Sequence, residues 1–127
     1  MSKIKAGYLT EPPVTVEAFR NRPCSLPITD QNHVPPTPEE VRSLRQILGF
    51  TQSRVGALVG RSYNDKGCKA VRRWENNIDS KEYRPINYSA WQLMLLAAEV
   101  IFLDEIIEAS EQYRLGCHIK GEMNDDN

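Results

Sequence analysis

Hydrophobic residues recur at helical spacing in four stretches of this chain. Val41, Leu44, Ile47 and Leu48 predict an amphipathic helix that starts at Pro38. Thr37 caps it, Pro38 takes the first helical position, and Glu39 and Glu40 put negative charge in the first turn. Thr37 and Glu40 also have capping-box spacing. Gly49 ends this helix. Thr51 caps a second one, with Val55, Leu58 and Val59 on its apolar face and Gly60 at its close. A third helix is predicted from about Gly67 to Trp74 or Glu75, with Ala70, Val71 and Trp74 inward. Residues 76–86 read as a loop. Asn87 or Ser89 then caps a long helix to about Tyr113. Its apolar positions, from Trp91 to Ile107, spread beyond one stripe, so more than one face must be buried.

The N-terminal third follows another rule. Seven of the eight prolines lie within residues 1–38, where each removes a backbone donor and holds its predecessor extended. Residues 1–36 therefore read as a Pro-rich arm, with a short strand over Lys3 to Thr10 and a helical turn or two between Val14 and Arg22. Tyr8, Leu9, Val14, Val16, Phe19, Leu26 and Ile28 are too many apolar residues for a linker. Part of the arm is expected to pack on the chain's own core or on a partner. The organisation expected is an arm at 1–36, a helical domain at 37–86, a long helix at 87–115 for core or dimer contacts, and a disordered acidic tail at 116–127.

Charge changes this picture. The formal net charge of -1 conceals a segregation. Residues 1–38 carry four basic and three acidic side chains, residues 39–98 ten and six, and residues 99–127 two and eight. A basic middle suits phosphates, and the acidic end would point away from them. Cys24, Cys68 and Cys117 lie far apart, so neither a disulfide framework nor a zinc site is expected. Without an apolar run of membrane-spanning length or a signal-peptide pattern, the expectation is a cytoplasmic protein with no membrane contact. No nucleophile–base pair or phosphate-cradling Gly loop is present. His33 and His118 fall in loop or tail. An enzyme is not expected, nor a cofactor.

Leu44-Arg45, Gly49-Phe50-Thr51-Gln52, Leu58-Val59-Gly60 and Val71-Arg72-Arg73-Trp74-Glu75 occur in this order and register. Together they resemble the lambda-repressor/Cro-like helix-turn-helix family, often called XRE-like regulators, over about half the chain. The resemblance implies a mainly α fold, a helix-turn-helix bundle extended by the arm and the long C-terminal helix. It implies that Gln52 contacts phosphate and supports a base-reading side chain. It puts Cys68, Lys69, Arg72 and Arg73 at solvent-facing positions of the reading helix, and Asn76 and Asn77 at the flanking phosphates. Arg45 and Glu75 match a structural ion pair between the first helix and the end of the third.

One departure stands out. The stretch from Gly60 to Trp74 is longer than the family's pattern, through Ser62 to Gly67. Lys66 and Arg61 would reach phosphates from there. The expected function is a sequence-specific transcriptional regulator, a repressor that binds double-stranded DNA at an inverted repeat as a homodimer. The alternative is an antitoxin or other interaction module of a toxin–antitoxin or mobile-element system, whose arm covers a protein partner.

Overall fold

The computed structural model describes residues 11–116, which are mainly helical and contain no strand. The strand expected over Lys3 to Thr10, the tail with Cys117 and His118 lie outside the described residues. In chain order the helices are α1 (Val16–Phe19), a 3-10 turn (Pro23–Ser25), α2 (Pro38–Leu48), α3 (Gln52–Val59), α4 (Lys69–Trp74), α5 (Tyr88–Ala97) and α6 (Leu103–Gly116).

The caps on α2 follow from the sequence. Thr37 Oγ1 accepts from the Glu40 amide at 3.1 Å, and Glu40 Oε1 accepts from the Thr37 amide at 2.8 Å. Gly49 ends α2 with φ 72°, a left-handed conformation that costs glycine little. Thr51 caps α3 through the Arg54 amide at 3.1 Å. The core gathers Val41 and Leu44 of α2, Val55 of α3, Val71 and Trp74 of α4, and Trp91, Met94 and Leu95 of α5. α3 packs on both α4 and α5, and α5 also packs on α2.

One expectation is corrected, and one left open is decided. The segment 87–115 is not one long helix. α5 stops at Ala97, Glu99 turns left-handed at φ 61°, and α6 begins at Leu103. No glycine marks this break, so periodicity runs through it. Val100 is buried just beyond the turn, and the Val100 amide donates to Leu95 O at 2.9 Å. Packing of Val100 holds a residue in a conformation that propensity alone disfavours. Glu105 Oε1 then accepts from the Phe102 amide at 2.9 Å and starts α6.

Of the two expected ways for the arm to pack, the chain's own core is the one seen among the described residues. Phe19 and Cys24 are fully buried, and the Phe19 ring lies 6.2 Å from that of Trp91. Trp91 Nε1 donates to Cys24 O at 2.7 Å. Ser43 Oγ donates to Pro13 O. Arg22 Nε meets the buried Glu40 carboxylate at 2.6 Å, so the group that caps α2 also fastens residues 13–36 to it. Prolines restrict such a segment without preventing it from burying the side chains between them.

Trp91→Phe keeps most of the apolar bulk but removes the only donor on the ring. It is expected to lower unfolding stability by about 1–3 kcal/mol in urea titration and to speed proteolysis between residues 13 and 36.

Candidate nucleic-acid interface

A carboxylate at the end of α4 organises this region. Glu75 is 4% exposed, and three side chains meet it. Arg45 of α2 grips it with Nε at 2.6 Å from Oε2 and Nη2 at 2.9 Å from Oε1. Gln52, the first residue of α3, donates Nε2 to Oε1 at 3.1 Å. Arg42 of α2 donates Nη2 to the Glu75 carbonyl at 2.8 Å. Arg45 Nη1 also donates to Phe50 O at 3.1 Å, across the turn between α2 and α3. A buried carboxylate is costly unless its lone pairs are filled, and here the Arg45 guanidinium and the Gln52 amide fill them, with Arg42 Nε 3.7 Å away. The hub therefore locks the relative placement of α2, α3 and α4.

α3 and α4 also approach closely by size. A Cβ on Gly56 would come within 2.7 Å of Cys68 Sγ, so glycine is the residue this contact requires. Cys68 is 1% exposed beneath it. The expected solvent-facing position for Cys68 is corrected: it lies just before α4, where its side chain is core.

The long stretch before α4 is a closed turn. Asn64 and Gly67 exchange backbone bonds of 2.9 and 3.1 Å, and Asn64 Oδ1 accepts from the Lys66 amide at 2.8 Å. Ser53 Oγ donates to Asn64 O at 2.5 Å and ties the turn to α3. Asn side chains close such turns on their own backbone. The turn holds Lys66 at an exposed tip. A Cβ on Gly67 would lie 3.8 Å from both Arg72 Nη1 and Gln52 Oε1, so these two side chains converge over its bare backbone. Exposed Lys69 lies one helical turn before Arg72, and exposed Lys66 directly precedes Gly67.

The other expected site residues lie elsewhere or are engaged. Arg73 does not point into solvent with Arg72. Its side chain is 35% exposed, its Nη2 lies 4.0 Å from Glu82, and its Nε is buried without a hydrogen-bond partner. Successive residues on a helix diverge by about 100°, so Arg72 and Arg73 cannot share a face. The Arg61 guanidinium sits 5.5 Å from the Trp74 ring centre, and its Nη2 donates to Asn87 Oδ1 at 3.3 Å. Asn76 and Asn77 accept loop amides, those of Asn77 and Asp79, on their Oδ1 atoms at 2.8 Å each, bonds that do not use the Nδ2 donors a phosphate would need. Nearby, burial pushes the Tyr83 phenol above its ordinary range.

Sequence reasoning missed Arg42 and Arg54. Arg42 precedes Arg45 by three residues, and that spacing alone marked a shared helix face. Arg54 stacks its guanidinium 4.2 Å from the Phe50 ring, a contact with no sequence pattern. Among the described residues no group of three or more His, Cys, Asp or Glu could hold a metal ion, and no helix is long and apolar enough to cross a membrane. No family model matches the chain, and neither a curated protein nor a solved structure matches it.

Removing the hub carboxylate leaves the half-buried Arg45 unpaired. Glu75→Ala is expected to cost about 3–5 kcal/mol of unfolding free energy, against about 1 kcal/mol for Arg42→Ala at the solvent edge. Denaturant titration of the two variants checks the ranking.

Proposed function

We propose that this chain is a sequence-specific DNA-binding transcriptional regulator with a lambda-repressor-like helix-turn-helix. α3 is its scaffold helix and α4 its reading helix. The observation that carries this reading is the convergence of Arg72 and Gln52 over Gly67, on helices locked by the Glu75 hub, with exposed Lys69 one turn before Arg72 and exposed Lys66 next to Gly67. Pre-placed cations suit a phosphate backbone, and Arg and Lys match the acceptor pair on a guanine edge. Arg72 is the base reader of this set, with Lys66 and Lys69 on phosphates. Gln52 acts by positioning, because its amide nitrogen is bound to Glu75. Arg73 is assigned no base.

A six-residue reading helix buries little surface, so the protein acts as a homodimeric repressor at an inverted repeat. Leu103 and Ile107 are about 60% exposed one turn apart on α6, and they supply an apolar stripe for self-association. The antitoxin reading rests on the apolar residues of the Pro-rich arm, of which Phe19 is buried in this chain's own core while Val14 and Ile28 are exposed.

Fluorescence-anisotropy titration with DNA from upstream of the protein's own gene tests the proposal. Binding should be sequence-dependent and should weaken steeply with salt. Arg72→Ala should cost about 1–3 kcal/mol on specific DNA, whereas Lys69→Ala should weaken all sequences and reduce the salt slope by about one. Salt-independent or sequence-blind binding would count against this assignment.

A further inference from the structure

The two halves of the chain repeat one another. The backbone bond from Asp30 N to Pro27 O recurs fifty residues later from Ser80 N to Asn77 O. His33 to Asp30 recurs as Tyr83 to Ser80, Val34 to Pro23 as Arg84 to Arg73, and Phe50 to Arg45 as Val100 to Leu95. The side-chain turn from Asn32 N to Asp30 Oδ1 returns as Glu82 N to Ser80 Oγ. Gly49 and Glu99, also fifty apart, share the left-handed backbone. Cys24, Val41 and Leu44 are buried where Trp74, Trp91 and Met94 are buried. Between 23–50 and 73–100 only Ile28/Ile78 and Pro35/Pro85 keep the same residue, which is why the repeat is invisible in sequence. The units bond reciprocally: Trp91 of the second to Cys24 O of the first, Arg42 of the first to Glu75 O of the second.

Each unit is followed by a helix, α3 after the first and α6 after the second. α3 closes on α4 because Gly56 admits Cys68. Fifty residues after Gly56 stands Ile106, whose branched side chain cannot allow that approach. Between α6 and residues 20–29 there is instead an open groove of about 750 Å³. It is the counterpart of the Glu75 hub with its chemistry exchanged: Ser25 stands for Glu75, Leu95 for Arg45, Phe102 for Gln52 and Asp104 for Arg54. Leu26, Ile28, Val100, Phe102 and Ile106 give it apolar walls. Ser25 lines it, 6% exposed, with a hydroxyl that has no hydrogen-bond partner. Asp104 and Glu105 of α6 line it with Arg20, whose guanidinium lies 5.8 Å from the Phe102 ring centre and whose Nη2 donates to Glu99 O at 3.0 Å.

We propose that this groove is a binding site for a small organic cation with an aromatic or aliphatic body. The volume is that of a small-molecule site, apolar walls with one or two placed polar groups are the usual lining, and an acidic lip attracts a cation and repels an anion. The body would lie between Ile28, Phe102 and Ile106, beside Ser25, and the ammonium at the Asp104 side. This site is independent of the DNA-binding reading.

NMR titration of the full chain with naphthylmethylamine tests it, with naphthoate as the anionic counterpart. Amides of 25–29 and 100–109 should shift with the amine, and naphthoate should bind about tenfold more weakly or not at all. Asp104→Lys, an exposed change that leaves the core intact, should weaken the amine about tenfold, and Ala109→Trp should fill the groove and abolish binding. Absence of shifts in the unmodified chain, equal affinity for naphthoate, or unchanged binding by folded Asp104→Lys would overturn the proposal.

Discussion

The candidate interface depends on one buried carboxylate. Glu75 ends α4, and the Arg45 fork, the Gln52 amide and Arg42 all close on it. Its value lies in direction more than in net energy, since a buried ion pair gains little over apolar packing but is severe to break. A guanidinium fork admits one orientation of its partner. Because the partners come from α2 and the start of α3, the orientation of α4 is set relative to both. The short α4 would be marginal alone, and it holds its place through this network and the Gly56–Cys68 contact.

A second buried carboxylate does similar work at the other end. Glu40 is 1% exposed, completes the cap on α2, and receives Arg22. An N-terminal cap is a local device, and the salt bridge converts it into a long-range one. Residues 13–36 then supply Phe19 and the Cys24 carbonyl to Trp91, the largest fully buried side chain. α5 could not bury Trp91 on a three-helix scaffold alone, and the proline-rich segment closes the core around it.

Much of the helical organisation was legible because its determinants are local. Thr37 and Thr51 announce caps, and Gly49 and Gly60 announce stops that only φ near +75° satisfies. The missed features have no local mark. Nothing at Glu99 resembles Gly49, yet burial of Val100 forces the same turn. Lys69, Arg72 and Arg73 look alike in sequence, but the path of residues 82–84 beside α4 half-buries Arg73. The extra length from Ser62 to Gly67 was readable, whereas its tether to Ser53 was not.

The start and end of α2 and α3, the spacing that allows Arg45 to meet Glu75, and the basic bias of the middle of the chain are written in the residues themselves. These follow from backbone conformation, capping and charge, which act over a few residues. Packing settled that residues 13–36 contribute to the core, that α5 and α6 are separate helices, and that two dissimilar sequences fold into one repeated unit. The reason is that burial constrains shape and not identity. Trp91 can stand where Val41 stands, and Glu99 where Gly49 stands, provided the surrounding packing supplies what the residue itself lacks.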